Sequence, residues 1–598
     1  MTDEKNTPSI EFLPAEIFYR IFDYLDASTI FFSVRQTCRR CYDLANAYNR
    51  YNFDFSSISK SEFACLCRSI EPENVTSLTL ADERQYPKQT EIFLSMVDIR
   101  RLIRLHTLNL FRIDQSYLNS ILTQINMNSI VSCHIQISNE DSNLSYTILQ
   151  TLSSRLISLP NLRKLEHNRF MNFVCPINCS IHHLTVHQPI TLSKFYELLV
   201  AMSHLKTLVV NDILQMPISI TNSPMIFHRN LTSLTINDID LKVDLIESLL
   251  LLTPSLQYLK LIFSYELFNG ERWEEFIDVN LSQLTRFEFF CSVVHEENVS
   301  KAVLERTIAP FRSSLWIEKK KWYVNCESST WSLERTNRFF INLYSIPVCK
   351  SSFQYMWPYE NCFLTTCPVK TMLDSTMMEH VDTVDLKLTN NTAIRTSKQR
   401  IIHEAMRADR RPLFPNATKL YFDINTQHSK YSCKYLPLLV NLTKLVHLEL
   451  NSFELVDWDK HSNRWKNQIG TQILQNIHLQ SLIIHHEISS WSTRLKVVET
   501  IHKLLPAQIS YLQVPINDLN QIEIILERCR QLRSVLFAIE YYAKIEPEQV
   551  VQWFTENTLG SVCEIITDKK LLIWIGRRKI TNDEDISHKH KRMKLTEQ

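Results

Sequence analysis

Glycine is nearly missing from this chain. Only Gly270, Gly470, Gly560 and Gly576 occur in 598 residues, where roughly 7% would be ordinary. Loops that cradle phosphate or a dinucleotide need clustered glycines so that backbone can approach the ligand. No two of these four are close together, which excludes a P-loop ATPase, a kinase and a Rossmann dehydrogenase. An excess of one charge is also missing, with 65 Lys and Arg against 64 Asp and Glu. A polyanion partner needs an unbalanced basic surface, so nucleic acid is not expected as a partner. Long apolar runs are absent as well. The most apolar stretch, 245–263, is interrupted by Glu247, Pro254 and Lys260, so no membrane association is expected.

The first residues, MTDEKNTPS, lack the charged-then-apolar pattern of an export signal. Fifteen scattered cysteines, an odd number, then fit a reducing compartment in which they stay free and mostly buried. The expectation is a protein of the cytoplasm or nucleus that uses no cofactor and no metal.

What is abundant is an L-x-x-L-x-L pattern. It occurs at Leu105–Leu110, Leu205–Val210, Leu231–Ile236 and Leu256–Leu261, and again at Val381–Leu386, Leu445–Leu450, Leu479–Ile484 and Ile509–Val514. In most of these units the last two apolar residues flank a polar one, which is strand periodicity. Between these units lie helical spacings: 192–202, 241–252 and 494–505. Leu184, Leu208, Leu234 and Leu259 are 24, 26 and 25 residues apart. A strand–helix unit of that size cannot bury its apolar edge alone, and stacking such units solves the problem. The pattern resembles a leucine-rich-repeat solenoid, an α/β horseshoe with the sheet inside and helices outside. It departs from the family in one respect. The Asn or Cys usual three residues past the last strand leucine is replaced by Ile113, Ile213, Ile239 and Phe453. Asn211, Asn237 and Asn451 come two places too early. An irregular α/β domain is the alternative.

The repeats are expected to break at 293–377, an aromatic-rich insertion carrying Trp316, Trp322, Trp331, Tyr344, Phe353 and Trp357. Residues 316–326 and 331–344 read as two strands or a hairpin, with a loop closed by Pro358. The aromatics are either a binding patch or a plug against the repeat array. The tail from Thr581 ends in the basic run 588–594, a nuclear-import segment or a solvated terminus.

The N-terminal forty residues differ from all of this. After Pro14, which suits a first helical turn, Ile17, Ile21 and Leu25 recur with Phe18 and Phe22 beside them. This makes an apolar stripe two residues wide. Asp26 or Ser28 can cap a second helix, whose apolar face is expected to carry Ile30, Phe31, Val34, Cys38, Cys41 and Leu44. The Cys38-x-x-Cys41 pair then sits inside an apolar stripe. It lacks the second ligand pair of a zinc site, and a redox dithiol would stand at a helix N-terminus instead. Both cysteines read as packing residues. Six apolar side chains of the first helix, Leu13 and Leu25 among them, offer at most about 9–18 kcal/mol of burial. Two or three helices cannot hide them all, so a partner's groove is their natural destination.

The combination Leu13-Pro14-x-Glu16-Ile17-x-x-x-Ile21-Phe22-x-Tyr24-Leu25, followed by Val34-x-x-x-Cys38-Arg39-Arg40, resembles an F-box. Cys41 stands where that family usually has Trp. An F-box followed by leucine-rich repeats implies a non-enzymatic substrate receptor of an SCF-type cullin–RING ubiquitin ligase. Its expected organisation is a disordered start (1–10), an F-box (11–52), repeats (53–292), the insertion (293–377), further repeats (378–578) and a charged disordered tail (579–598). The resemblance assigns docking on a Skp-type adaptor, and through it a cullin scaffold, to Leu13, Pro14, Ile17, Ile21, Phe22, Leu25, Val34 and Cys38. An unknown protein substrate would meet polar residues between the strand leucines: Thr107, Asn109, Thr207, Ser233, Thr235, Gln257 and Lys260. Two other readings stay open. One is a repeat scaffold outside ubiquitin transfer. The other is a hydrolase, for which His182, His183, His485 and His486 lack a nucleophile motif such as G-x-S-x-G.

Overall fold

The computed structural model describes residues 13–56, 58–82, 88–137, 146–168, 176, 179–214, 227–239, 241–263, 266–295, 299–333, 336–357, 363–367, 375–388, 412–424, 436–452, 478–485, 505–539, 543, 545–567, 569–575 and 577–578. The expected helix at 494–505 (apart from Leu505), Phe453, His486, Pro358 and the charged tail lie outside these residues.

Three helices come first, α1 (Ala15–Phe22), α2 (Ala27–Phe32) and α3 (Arg39–Ala47), then α4 (Lys60–Ser69) after a first strand. Strand-rich α/β regions follow. One sheet has thirteen strands and begins with β1 (Tyr51–Asp54), β2 (Val75–Ala81), β3 (Thr107–Ile113), β4 (Ser132–Ile137), β5 (Lys164–His167) and β6 (His183–Val186). A second sheet has nine strands. Every one of the eight L-x-x-L-x-L motifs starts its strand at the third residue, as in Thr207–Val210, Ser233–Ile239 and Tyr511–Ile516.

Through most of both sheets, neighbouring strands pair in parallel with their leucines in register. Leu78, Leu108, Cys133, Leu165, Leu184, Leu208, Leu234, Leu259 and Phe287 form one row across the first sheet, and all are buried. Phe353, Val384, Leu420, Leu448, Leu482, Leu512 and Val535 form its counterpart in the second. Ahead of each strand, a backbone N–H donates to the preceding unit's carbonyl. The bonds run from His106 to Thr76 (2.9 Å), Val131 to His106 (2.8 Å) and Arg163 to Val131 (2.8 Å), and continue through His182, Lys206, Thr232, Gln257 and Thr285. Asparagine side chains add cross-links at the same level: Asn161 donates to the Asn128 carbonyl, Asn230 to Ser203 and Asn416 to Glu379. Past the strands, Asn168 donates to the Ile137 carbonyl and Asn211 to that of His187. Of the early asparagines, Asn211 and Asn237, which donates to the Asn211 side chain, bridge successive units, while Ile113, Ile213 and Ile239 are buried.

Scarce glycine leaves other residues to take the left-handed turns. Arg112 (φ 53°) and Asp238 (φ 54°) do so where β3 and Ser233–Ile239 slip register against the next strand. Gly270 is needed for a different reason: a Cβ there would come within 2.9 Å of the Pro310 side chain.

The aromatic segment differs in detail from expectation. Residues 315–319 form a helical turn, and a hairpin of Val324–Leu333 and Thr336–Ser345 pairs antiparallel onto Arg286–His295. Residues 331–344 thus span the hairpin turn and are not a single strand. Trp316, Trp322, Tyr344 and Phe353 are buried, with Phe287, Phe289 and Phe311 packed around Trp316. These aromatics plug the array's flank. Strand Ser352–Trp357 then opens the second sheet.

His167, closing β5, is 1% exposed. Burial holds its imidazole at about 3, far below the ordinary 6.5. The unfolded chain therefore takes up this proton first. The associated stability is complete above the unfolded value and is lost as pH falls from there toward 3. We expect the wild-type melting temperature to drop between about pH 7.5 and about pH 5, and that of His167→Leu to drop less. Thermal melts at both pH values decide it: equal drops would remove His167 from the acid response.

Candidate protein-docking site

Two apolar rows run along α1, and the structure treats them differently. The inner row, Phe18 and Phe22, is 2% and 1% exposed. Phe22 packs edge-on against Phe18 (6.1 Å) and Tyr48 (5.3 Å). The outer row keeps surface: Ile17 is 38% exposed, Pro14 is exposed, and Leu13, Ile21 and Leu25 are half-buried. Val34 and Cys38 are also half-buried and lean on the same core. Seven of the eight expected docking residues thus reach the surface. Phe22 does not: the structure places it in the chain's own core, because a row one residue over on a helix is turned by about 100°. Tyr24, 90% exposed beside this row, was not among the expected contacts.

The expected second helix is broken. Asp26 caps α2, accepting from the Thr29 backbone N–H at 2.6 Å. A 3₁₀ turn follows at Val34–Gln36, whose end is closed by the Thr37 hydroxyl donating to the Val34 carbonyl (2.8 Å). Cys38 then stands in extended backbone as the N-cap of α3, its Sγ accepting from the Cys41 N–H at 3.4 Å. The two cysteines do not share a helical stripe as read from the sequence. Cys41 is nonetheless 4% exposed within the apolar core, and neither cysteine is in a disulfide. Arg40 reaches back to donate to the Leu13 carbonyl at 2.7 Å, tying α3 to the start of α1.

An unbroken run of rings anchors this helical piece. It passes from Phe22 to Tyr48, Tyr51 (5.0 Å), Phe53 (5.6 Å), Phe55 (5.5 Å) and Phe63 of α4 (4.9 Å). It ends at Trp574 of strand Lys570–Trp574, 5.7 Å from Phe63 and fully buried. Lys60 lies over the same indole (5.7 Å), and Arg533 approaches Glu62 at 3.9 Å. The last strands of the second sheet therefore meet the helix that follows the N-terminal domain. Tyr48 also donates to Asp23 (2.7 Å), which Arg50 pairs at 3.0 Å. Burial, then Asp23, pushes the Tyr48 hydroxyl well above its usual range. A cavity of about 260 Å³ opens between these helices and α4, lined by Phe31, Phe32, Arg35, Tyr42, Cys65 and Leu66, with the Arg35 guanidinium 4.5 Å from the Tyr42 ring.

On the sheets, Thr107, Asn109, Thr207, Ser233, Gln257 and Lys260 keep surface between buried leucines, whereas Thr235 is buried. Asn109 spends its amide on Thr79 of the neighbouring strand (3.1 Å). Among the described residues, no helix is long and apolar enough to cross a membrane. The group there able to hold a metal is His134, Glu166 and His187. Sequence reading missed it, because its members lie 32 and 21 residues apart and meet only through strand pairing.

The two rows separate by stability. Phe55→Ala, in the ring run, should cost about 3–5 kcal/mol in chemical denaturation. Ile17→Asp, on the outer row, should change stability by no more than about 0.5 kcal/mol. Comparable losses for both would show that Ile17 is a core residue.

No curated protein matches the chain. Its first fifty residues do match a known family: residues 10–52 fit the model described as F-box-like, so the helical piece with the exposed Ile17 row is an F-box-like domain.

Proposed function

We propose that the chain is the substrate-recognition subunit of an SCF-type cullin–RING ubiquitin ligase, with its strand regions forming a leucine-rich-repeat horseshoe that holds the substrate protein. The observation that carries this reading is the F-box-like domain with an apolar row left uncovered at Leu13, Pro14, Ile17, Ile21 and Leu25. A Skp-type adaptor covers that row, Val34 and Cys38 extending the contact and Phe22 supporting it from beneath. Burial in a partner's groove stabilises such a row as a protein core would.

Catalysis in this arrangement is proximity. The adaptor joins the chain to a cullin scaffold, and the substrate lysine is held near a ubiquitin-charged carrier enzyme at raised effective concentration. No residue of this chain performs the chemistry. Its contribution is a fixed distance, and the ring run from Phe22 to Trp574 gives the docking helices little freedom to swing against the sheets. Polar residues such as Thr107, Ser233 and Lys260 meet the substrate. They are mostly neutral, which favours a degron without clustered phosphates.

Full-length protein should bring down the Skp-type adaptor and cullin from cells. The triple variant Leu13→Ala, Pro14→Ala, Ile17→Asp should lose both while its circular dichroism and melting stay those of wild type. Wild type that retains neither overturns the ligase reading and leaves a repeat scaffold. A variant that still binds moves the docking face elsewhere.

A further inference from the structure

We propose that His134, Glu166 and His187 form a binding site for a divalent transition-metal ion, with Zn²⁺ the ion their donor set fits. The site lies on three successive parallel strands, far along the chain from the docking row, and does not depend on the ligase reading.

The fold assembles it through register. On β4 and β5, His134 pairs with Glu166, and Glu166 pairs with Thr185 of β6. His187 comes two residues after Thr185, hence on the same face of the sheet. Strands about 4.8 Å apart set the three side chains abreast. The Nε2 atoms of His187 and His134 both approach Glu166 Oε1, at 2.8 and 3.5 Å. All three donor atoms lie within 4.8 Å of one another. Tetrahedral zinc with bonds of about 2.0–2.2 Å needs donors roughly 3.3–3.5 Å apart, so small side-chain adjustments admit the ion. Phe111 on β3 packs edge-on against the His134 ring (4.6 Å, 84°) and fixes its plane.

An imidazole binds a metal only as the neutral ring, so His187 Nε2, 2.8 Å from Glu166 Oε1, exchanges its hydrogen bond to the carboxylate for the ion. Lys164, one pleat back on β5, opposes the ion's charge, and the Glu166 carboxylate offsets it. The side chains are 26%, 22% and 39% exposed for His134, Glu166 and His187. An ion can therefore enter, and a fourth coordination position stays open to water or to a donor atom of a bound protein, as in three-ligand zinc sites. Two imidazoles and one carboxylate, without thiolate, select this class over calcium or magnesium.

The second sheet supplies an internal control. His447, Glu449 and His485 have the same composition, but His485 Nε2 approaches one Glu449 oxygen at 2.8 Å while His447 Nε2 lies 3.8 Å from the other, and this trio is not among the groups whose donor atoms lie within 4.8 Å of one another. That trio does not converge on one point.

The test is a Zn²⁺ titration of the metal-stripped full-length chain by calorimetry, with Co²⁺ absorption reporting coordination number. One tight equivalent with a four-coordinate Co²⁺ spectrum is expected. Glu166→Gln and His187→Ala should each weaken Zn²⁺ by at least about tenfold, with unchanged circular dichroism, and Glu449→Gln should leave the affinity as it was. No tight equivalent would overturn the proposal and leave a hydrogen-bonded trio. So would equal affinity in wild type and Glu166→Gln, which would place the ion on other histidines.

Discussion

Everything in this protein hangs on one repeated backbone bond: the N–H just ahead of a strand donating to the carbonyl at the same level of the unit before. From Thr76 to Thr285 and again from Ser351 to Arg533 the bonds follow one another at 2.8–3.0 Å. Each fixes the entry point of the next strand. With entry fixed, parallel pairing can adopt only one register, because a slip of one residue would turn every leucine to the wrong face. The buried leucine rows, the asparagine cross-links and the placement of His134 beside Glu166 are all downstream of it. Unit lengths can vary between strands without harm, since loops and helices absorb the difference.

This explains what was legible in the sequence. All eight strand motifs were readable, since period-two alternation at a fixed offset is a local signal. The inner and outer rows of α1 were visible only as one wide stripe. Which row is covered depends on Tyr48 and on the aromatic strand that follows, and neither is local to the helix. The second helix was over-extended because apolar spacing at Ile30, Val34, Cys38 and Cys41 suits a helix. The competing end-bonds of Thr37 and Cys38 broke it, as side-chain hydrogen bonds to nearby backbone commonly do. The break between strands Val324–Leu333 and Thr336–Ser345 was missed for a related reason: no glycine or proline marks it.

Function was legible to different depths in the two parts. The domain at 10–52 carries its signal in a short, dense motif, and the family match falls on the same residues. The sheet faces carry none. Their polar positions are separated by whole units, so a cluster such as His134, Glu166 and His187 appears only when strands are laid side by side. The histidine pair that stands out in the linear sequence, His182 and His183, sits at the entry of β6, where His182 stacks on His204.

The contact between Trp574 and Phe63 sets a limit on how this protein can change. An open stack of strand–helix units can gain or lose a unit at either end, as its neighbours need only one matching face. Here the two ends of the stack touch. Their indole and phenyl rings meet 5.7 Å apart, and the strands between must bring them there. Removing one unit from the middle would leave every local interface intact and still pull this junction apart. The lining of these sheets can therefore be revised residue by residue, while a change in the number of strands would be felt at this contact, which no single unit encodes.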